Sequence, residues 1–320
     1  MKKKNKIAAL VLSVCMLGTL SACGSESREQ ALIYRNQGID CMETEDYEGA
    51  LEAFQKALDQ SIGKVTDLEL DINYYKAETL YRSGDEEGAL KTLQAVLDYK
   101  EEARAYYLCG VISFAKGDTS TALTDMGKAA ELAGKDYELL IGIYQTMESQ
   151  GYGRDAEKYL NQAIDIKGDK PKDQMQKGRA YFLLGERDKA IEMLQRVVNM
   201  EHPEANFYLF QMYQDIRQTE KAREYYDAYL ASGLASSAEL CTMGRSFMEK
   251  GQYELAITTF NQALSMEGIE NEQLMRKYEV ICYEKLGNFA KAKECAKAYK
   301  EDFPEDDSLD KEIIFLETRA

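Results

Sequence analysis

The sequence predicts an all-α chain built as a solenoid of about eight stacked helix pairs and closed by one capping helix. Three observations carry that expectation. Of the 320 residues, 45% are hydrophobic and 30% charged, with three Pro and no Trp, which allows a core but lacks the Pro and β-branched clusters of sandwiches. A Gly followed five positions later by Ala recurs about every 34 residues. On both sides of each such Gly, apolar residues fall on one helical face.

The chain opens on a basic stretch, Met1 to Asn5, followed by an apolar run from Ile7 to Leu20. Fourteen helical residues span about 21 Å against a hydrocarbon core of about 30 Å. The run is too short to be a stable transmembrane helix and reads as an export signal. The tetrad at its end, Leu20-Ser21-Ala22-Cys23, resembles the bacterial lipobox. The resemblance implies that residues 1–22 are a lipoprotein signal peptide and that Cys23 carries the lipid. An ordinary secretory signal with an incidental Cys23 is the other reading. Residues 23–30 are expected to join the lipidated Cys to the folded body as a short polar tether. Two or three acyl chains hold a protein on a bilayer essentially permanently. The expected location is therefore the cell membrane, on its extracytoplasmic face, periplasmic or cell-surface.

Charge and chemistry narrow the function. Lys2, Lys3, Lys4 and Lys6 leave with the signal, taking the formal charge from −16 to −20. So acidic a chain repels phosphate backbones, and no nucleic-acid partner is expected. A single His, His202, excludes multi-His metal sites, so no metal and no cofactor is expected. Five cysteines remain beyond Cys23, namely Cys41, Cys109, Cys241, Cys282 and Cys295. Their number is odd and their spacing fits no zinc motif, which makes them small core residues rather than a disulfide framework.

The repeat is explicit. Gly84, Gly117, Gly151, Gly185, Gly251 and Gly287 are followed five residues on by Ala89, Ala122, Ala156, Ala190, Ala256 and Ala292, and the pattern recurs without Gly at Glu45 with Ala50 and Arg217 with Ala222. Each copy reads as two amphipathic helices around a residue that tolerates positive φ. In the seventh, Leu240, Met243 and Phe247 mark the first helix and Ala256, Ile257, Phe260 and Ala263 the second, with Ser236 and Glu239 as an opening capping box. Short turns make the two helices antiparallel. Small residues recur seven positions before the turn, at Gly38, Ala77, Gly110, Gly178 and Gly244, where the helices cross closely. The sixth repeat has Phe210 and Tyr229 at the crossing positions and the eighth Val280 and Tyr299, so those two are expected to depart most from the others.

This pattern resembles the tetratricopeptide repeat, with a small residue in the first helix, an aromatic beyond it, a turn Gly with Tyr, then Ala, aromatic and Ala. The seventh copy matches best, through Gly244, Phe247, Tyr253, Ala256, Phe260 and Ala263. The resemblance implies a right-handed α-solenoid over residues 31–306, with repeats at about 31–64, 70–102, 103–136, 137–170, 171–202, 203–236, 237–270 and 273–306. About five extra residues fall near Gln60 to Thr66. Residues 307–320 are expected to form the cap, with Leu309, Ile313 and Leu316 on one face and Asp306 and Asp307 capping its start.

The resemblance further implies a concave surface lined by the first helices. Its inward positions fall on Tyr74, Tyr81 and Arg82, on Arg104, Tyr107 and Phe114, and on Met175, Arg179 and Phe182. They continue through Phe207 and Gln211 to Arg245 and Met248. Rings and guanidinium groups together suit an extended peptide. Ile39 and Glu78 stand where a chaperone-tail clamp would need Asn. Three chance matches lack their context: Gly151 to Ala156 for a dinucleotide loop, Ser61 to Lys64 for a β-lactamase motif, and His202-Pro203-Glu204 for a deaminase. The expected function is an extracytoplasmic protein-interaction scaffold or adaptor, not an enzyme, with proteins or peptides as partners. A lipoprotein binding a cell-wall glycan or peptide fragment is the second reading, and an envelope hydrolase the third. The sequence leaves the oligomeric state open.

Overall fold

The computed structural model describes residues 26–60, 65–198 and 202–319. The signal peptide and Cys23 lie outside them. Within them the chain is all-helical, with no strand and no cis peptide bond. It divides into two compact units, Met1–Tyr152 and Gly153–Ala320.

The first unit holds α1 (Glu26–Glu43), α2 (Tyr47–Asp59), α3 (Asp67–Ser83), α4 (Glu86–Tyr99), α5 (Ala103–Lys116), α6 (Thr119–Leu132) and α7 (Tyr137–Ser149). The second holds α8 (Gly153–Asp165), α9 (Pro171–Leu183), α10 (Arg187–Val197), α11 (Ala205–Asp215), α12 (Thr219–Ala231), α13 (Ser237–Glu249), α14 (Tyr253–Leu264), α15 (Glu272–Lys285), α16 (Phe289–Asp302) and α17 (Asp310–Glu317). Odd-numbered helices up to α15 are the first, or A, helices of the repeats, and even-numbered ones the second, or B, helices. One expected boundary moves: α1 begins at Glu26, so residues 26–30 are helix and not tether.

Local chemistry explains the hairpins. The six turn glycines all have positive φ, and Glu45 and Arg217 adopt the same left-handed conformation, each at φ 59°, in the two repeats that lack Gly. Asp46, Asp85 and Asp118 then open the B helices by accepting the N–H of Gly49, Gly88 and Thr121. The Ser236–Glu239 capping box forms as expected, with Ser236 N–H donating to Glu239 Oε2 at 2.8 Å. Pro171 is the first residue of α9, where its missing N–H costs nothing.

The recurrent alanines are the tightest part of the core. Ala50, Ala89, Ala122, Ala156, Ala190, Ala222, Ala256 and Ala292 are all 3% exposed or less. Each small residue on an A helix faces a large one sixteen positions later on its B helix. A Cβ on Gly38 would fall 2.5 Å from Phe54, and one on Gly178 would fall 2.7 Å from Leu194. Gly244 stands in the same relation to Phe260. The sixth repeat breaks this rule, because Phe210 meets Tyr226 with ring centroids 4.6 Å apart and both rings buried. The eighth exchanges the volumes, placing Val280 at the small position and Ala296 at the register position opposite, both fully buried.

The C-terminal end is closed by α17, with Leu309 and Leu316 buried and Ile313 partly so against the Val280, Ala292, Ala296 and Tyr299 cluster. Its start corrects the expected cap. The N-cap residue is Leu309, without a side-chain bond. Asp306 instead accepts Ser308 N–H at 2.9 Å, Tyr299 O–H at 2.6 Å and Lys277 Nζ at 2.7 Å. These bonds hold its carboxyl far below the usual range. It fixes the turn entering the helix, not the helix end.

Candidate interaction surface

The A-helix positions expected to meet a ligand separate by unit. In the first, three of the six are packed away. Tyr74 is 5% exposed, its O–H donating to Glu102 Oε2 at 2.7 Å with the Arg104 guanidinium stacked 4.4 Å over its ring. Burial, then the bond to Glu102, pushes this phenol far up. Burial also raises Glu102, but hydrogen bonds from Lys100 and Tyr74 outweigh it and leave the carboxyl below its ordinary value. Tyr107 is 6% exposed, with its oxygen 3.0 Å from Thr146 Oγ1 of α7 and beneath Gly142, where a Cβ would come within 3.5 Å of it. Phe114 is 7% exposed and stacks on Tyr152. Arg82 is exposed but bound to Glu78 at 2.5 Å, and Tyr81 is half-buried with its phenol raised by burial.

The second unit keeps its expected set near the surface, apart from Met175, which is 1% exposed. Phe182, Phe207, Gln211 and Met248 are half-buried and Arg245 is exposed. Phe182 meets Tyr208 edge to face at 5.4 Å, while Phe207 lies 6.3 Å from Tyr208 and 5.1 Å from Tyr229. Arg179 donates to Gln176 Oε1 at 2.8 Å and sits 6.0 Å from the Tyr208 ring. Arg245 is held only loosely by Glu249, at 3.9 Å. The result is a row of half-buried rings with the Arg179 guanidinium beside it, and Arg245 exposed on α13.

Tyr74, Tyr107, Phe114 and Met175 are thus corrected from contact residues to packing residues. A side chain with so little exposed area offers a partner almost nothing to bind. Tyr208 and Tyr229 were missed. Tyr208 lies one position past Phe207 on α11, and the aromatic pair itself was the available signal. The five cysteines are free, and burial pushes the Cys109 and Cys282 thiols up to about 12. Among the described residues no cluster of His, Cys, Asp and Glu could hold a metal ion, and no helix is long and apolar enough to cross a membrane.

Stacked antiparallel helix hairpins recurring about every 34 residues define a helical repeat protein. The chain belongs to the tetratricopeptide repeat family: one family description, Tetratricopeptide repeat, matches residues 35–99, 76–137 and 241–307, and a second of the same description matches 174–205. Proteins of this family generally mediate protein–protein interactions and are typically non-catalytic. No curated protein matches the chain. Similar solved structures include a tetratricopeptide repeat protein from Parabacteroides merdae, 12% identical with a TM-score of 0.48, covering 79% of this chain and 99% of that one. The C-terminal part of a repeat protein from Cytophaga hutchinsonii is 18% identical, with a TM-score of 0.41 and coverage of 75% and 97%. Pseudomonas aeruginosa pilF is 12% identical, with a TM-score of 0.42 and coverage of 63% and 90%. At these values the likenesses carry no functional argument.

Proposed function

We propose that this protein is a lipid-anchored, extracytoplasmic scaffold that captures an extended segment of a partner protein on the A-helix face of its second unit. The observation that carries the reading is the row of half-buried rings Phe182, Tyr208 and Phe207 beside Arg179, with the exposed, loosely held Arg245 on the next A helix. Rings contribute contact area at little entropic cost, and guanidinium groups grip carboxylates or carbonyl oxygens. The anchor follows from the basic head, the 14-residue apolar run and the tetrad ending at Cys23. No reaction is assigned to it.

A photo-reactive phenylalanine analogue at position 182 or 248, in intact cells, tests the surface. A discrete cross-linked partner is expected from both positions and not from Asp227, which is exposed on the B helix α12. Identical products from all three positions, or none from any, would refute the reading. Mass spectrometry of the N-terminal peptide tests the anchor independently.

A further inference from the structure

The start of α1 has a geometric consequence. Cys23 precedes Glu26 by three residues, so an acyl group on Cys23 lies at most about 10 Å of backbone from the first helix. On the anchored reading, the bilayer is therefore close to the end of the first unit that holds the α1 N-terminus. Because the hairpins are antiparallel, that end also carries the links between repeats: the C-termini of α2, α4 and α6 and the N-termini of α3, α5 and α7. The hairpin turns lie one helix length away, about 20–25 Å.

The exposed large apolar side chains of the first unit are Ile33, Val65, Tyr99 and Leu132. Three of the four lie on the inter-repeat edge. Tyr99 and Leu132 hold the same register position, as the last residues of α4 and α6, and are 57% and 45% exposed. Val65 adjoins Tyr99, whose O–H donates to the Val65 carbonyl at 3.2 Å. α5 packs against both α4 and α6, so Tyr99 and Leu132 recur along the same rim one repeat apart, with Val65 beside Tyr99. Lys100 and Lys135 stand exposed on that rim, among Asp59, Asp67, Asp98, Glu101, Glu131 and Asp136. The opposite rim carries Glu45, Asp46, Asp85, Glu86 and Asp118 together with Arg82 and Lys116. Both rims are acidic, so the position of the acyl group and the exposed apolar side chains choose between them, not charge.

We propose that the inter-repeat rim of the first unit rests on the bilayer surface, with Val65, Tyr99 and Leu132 entering the interfacial layer. The proposal rests on the lipid-anchored reading and extends it from a tether to an orientation. Tyrosine suits this depth because its ring is apolar and its hydroxyl polar. Three contacts of this kind bind weakly alone; they matter because the acyl chains hold the rim at the surface.

The absence of Trp makes the test direct. Tyr99→Trp, Leu132→Trp and Ser83→Trp each give the full chain a single tryptophan, excited selectively beyond the tyrosine band, the last on the turn rim. Each variant is purified from membranes, checked for an acyl mass on Cys23, and reconstituted into phosphatidylcholine–phosphatidylglycerol vesicles with brominated acyl chains. The expected result is a blue-shifted emission losing about half its intensity to bromine in Y99W and L132W, and neither effect in S83W. Acylated protein with equal behaviour at all three positions overturns the orientation and leaves the anchor standing. Protein without the acyl mass overturns the anchor, and the orientation with it.

Discussion

The third repeat, in the first unit, buries two helix positions that the second unit leaves half-buried at Phe207 and Phe182, although Met175 is buried at the first position and Tyr81 half-buried at the second. Tyr107 in the first and Phe207 in the second hold the same position of their A helices, as do Phe114 and Phe182 at a later one. In the first unit Thr146 of the following helix bonds to Tyr107, and Tyr152 covers Phe114. In the second, Tyr208 and Tyr229 crowd around Phe207, which stays half-buried. Helical register decides which side chains face a given side. What neighbouring helices lay over them decides whether they become core or surface.

Truncation separates the two cases most sharply. Tyr107→Ala is expected to remove about 3–5 kcal/mol of stability, the cost of emptying an aromatic site in a core. Its calorimetric Tm falls by several degrees, while partner capture per folded molecule is unchanged. Phe182→Ala costs about 2 kcal/mol or less, because that ring is only partly buried, yet lowers partner affinity. The comparison breaks if Y107A keeps its Tm and loses the partner.

Charge offers a second contrast. Arg245→Ala and Arg82→Ala both remove surface guanidinium groups, and each changes folding stability by about 0.5 kcal/mol or less. Arg82 already engages Glu78, whereas Arg245 is only loosely held. Titration of the captured segment is expected to show a loss of about 1–2 kcal/mol for R245A and none for R82A. Equal losses would place the contact surface in both units.

The capping helix adds a pH response to the second unit. Glu284 on α15 meets Glu312 on α17, while Glu284 Oε1 is buried without a donor. Burial, then the Glu312 contact, pushes the Glu284 carboxyl up to about 7, with Lys285 opposing. The folded state therefore holds this proton more tightly than the unfolded chain. Its stabilising effect is complete below the ordinary carboxylate value and is lost as pH rises toward about 7. Glu284→Gln is expected to flatten the dependence of Tm on pH over that window and to raise Tm above it. An E284Q profile parallel to the parent would show that the pair does not fasten the cap.

Much of this architecture is legible in the sequence because the repeat reports on itself. The Gly and Ala spacing places every turn, and the positions seven before it find the helix crossings. The side-chain partners are less legible. Nothing in a single repeat says that Thr146 would bond to Tyr107, since that pairing spans 39 residues. The cap start was misread because Asp306 has the composition of an N-cap. Its oxygens are instead claimed by Lys277, Tyr299 and Ser308, two of which are distant in sequence or on another helix. The sinking of four expected contact residues has the same origin, because register is local and coverage is not.

The smallest expected effect is also shared between the units, which makes it a control on the comparison. Glu45 in the first and Arg217 in the second both hold a left-handed backbone at φ 59°, where the other repeats use Gly. A side chain there costs about 1–2 kcal/mol relative to the right-handed region, and glycine recovers that strain while adding freedom to the unfolded chain. Both residues are exposed, so little packing is lost with the side chain. Glu45→Gly and Arg217→Gly are each expected to gain about 0.5–1 kcal/mol, read as a small rise in Tm with unchanged partner affinity. Equal gains would show that the turn is governed by the same backbone rule in both units. A gain in one and a loss in the other would mean that one of these side chains supports its hairpin in a way that backbone conformation does not explain.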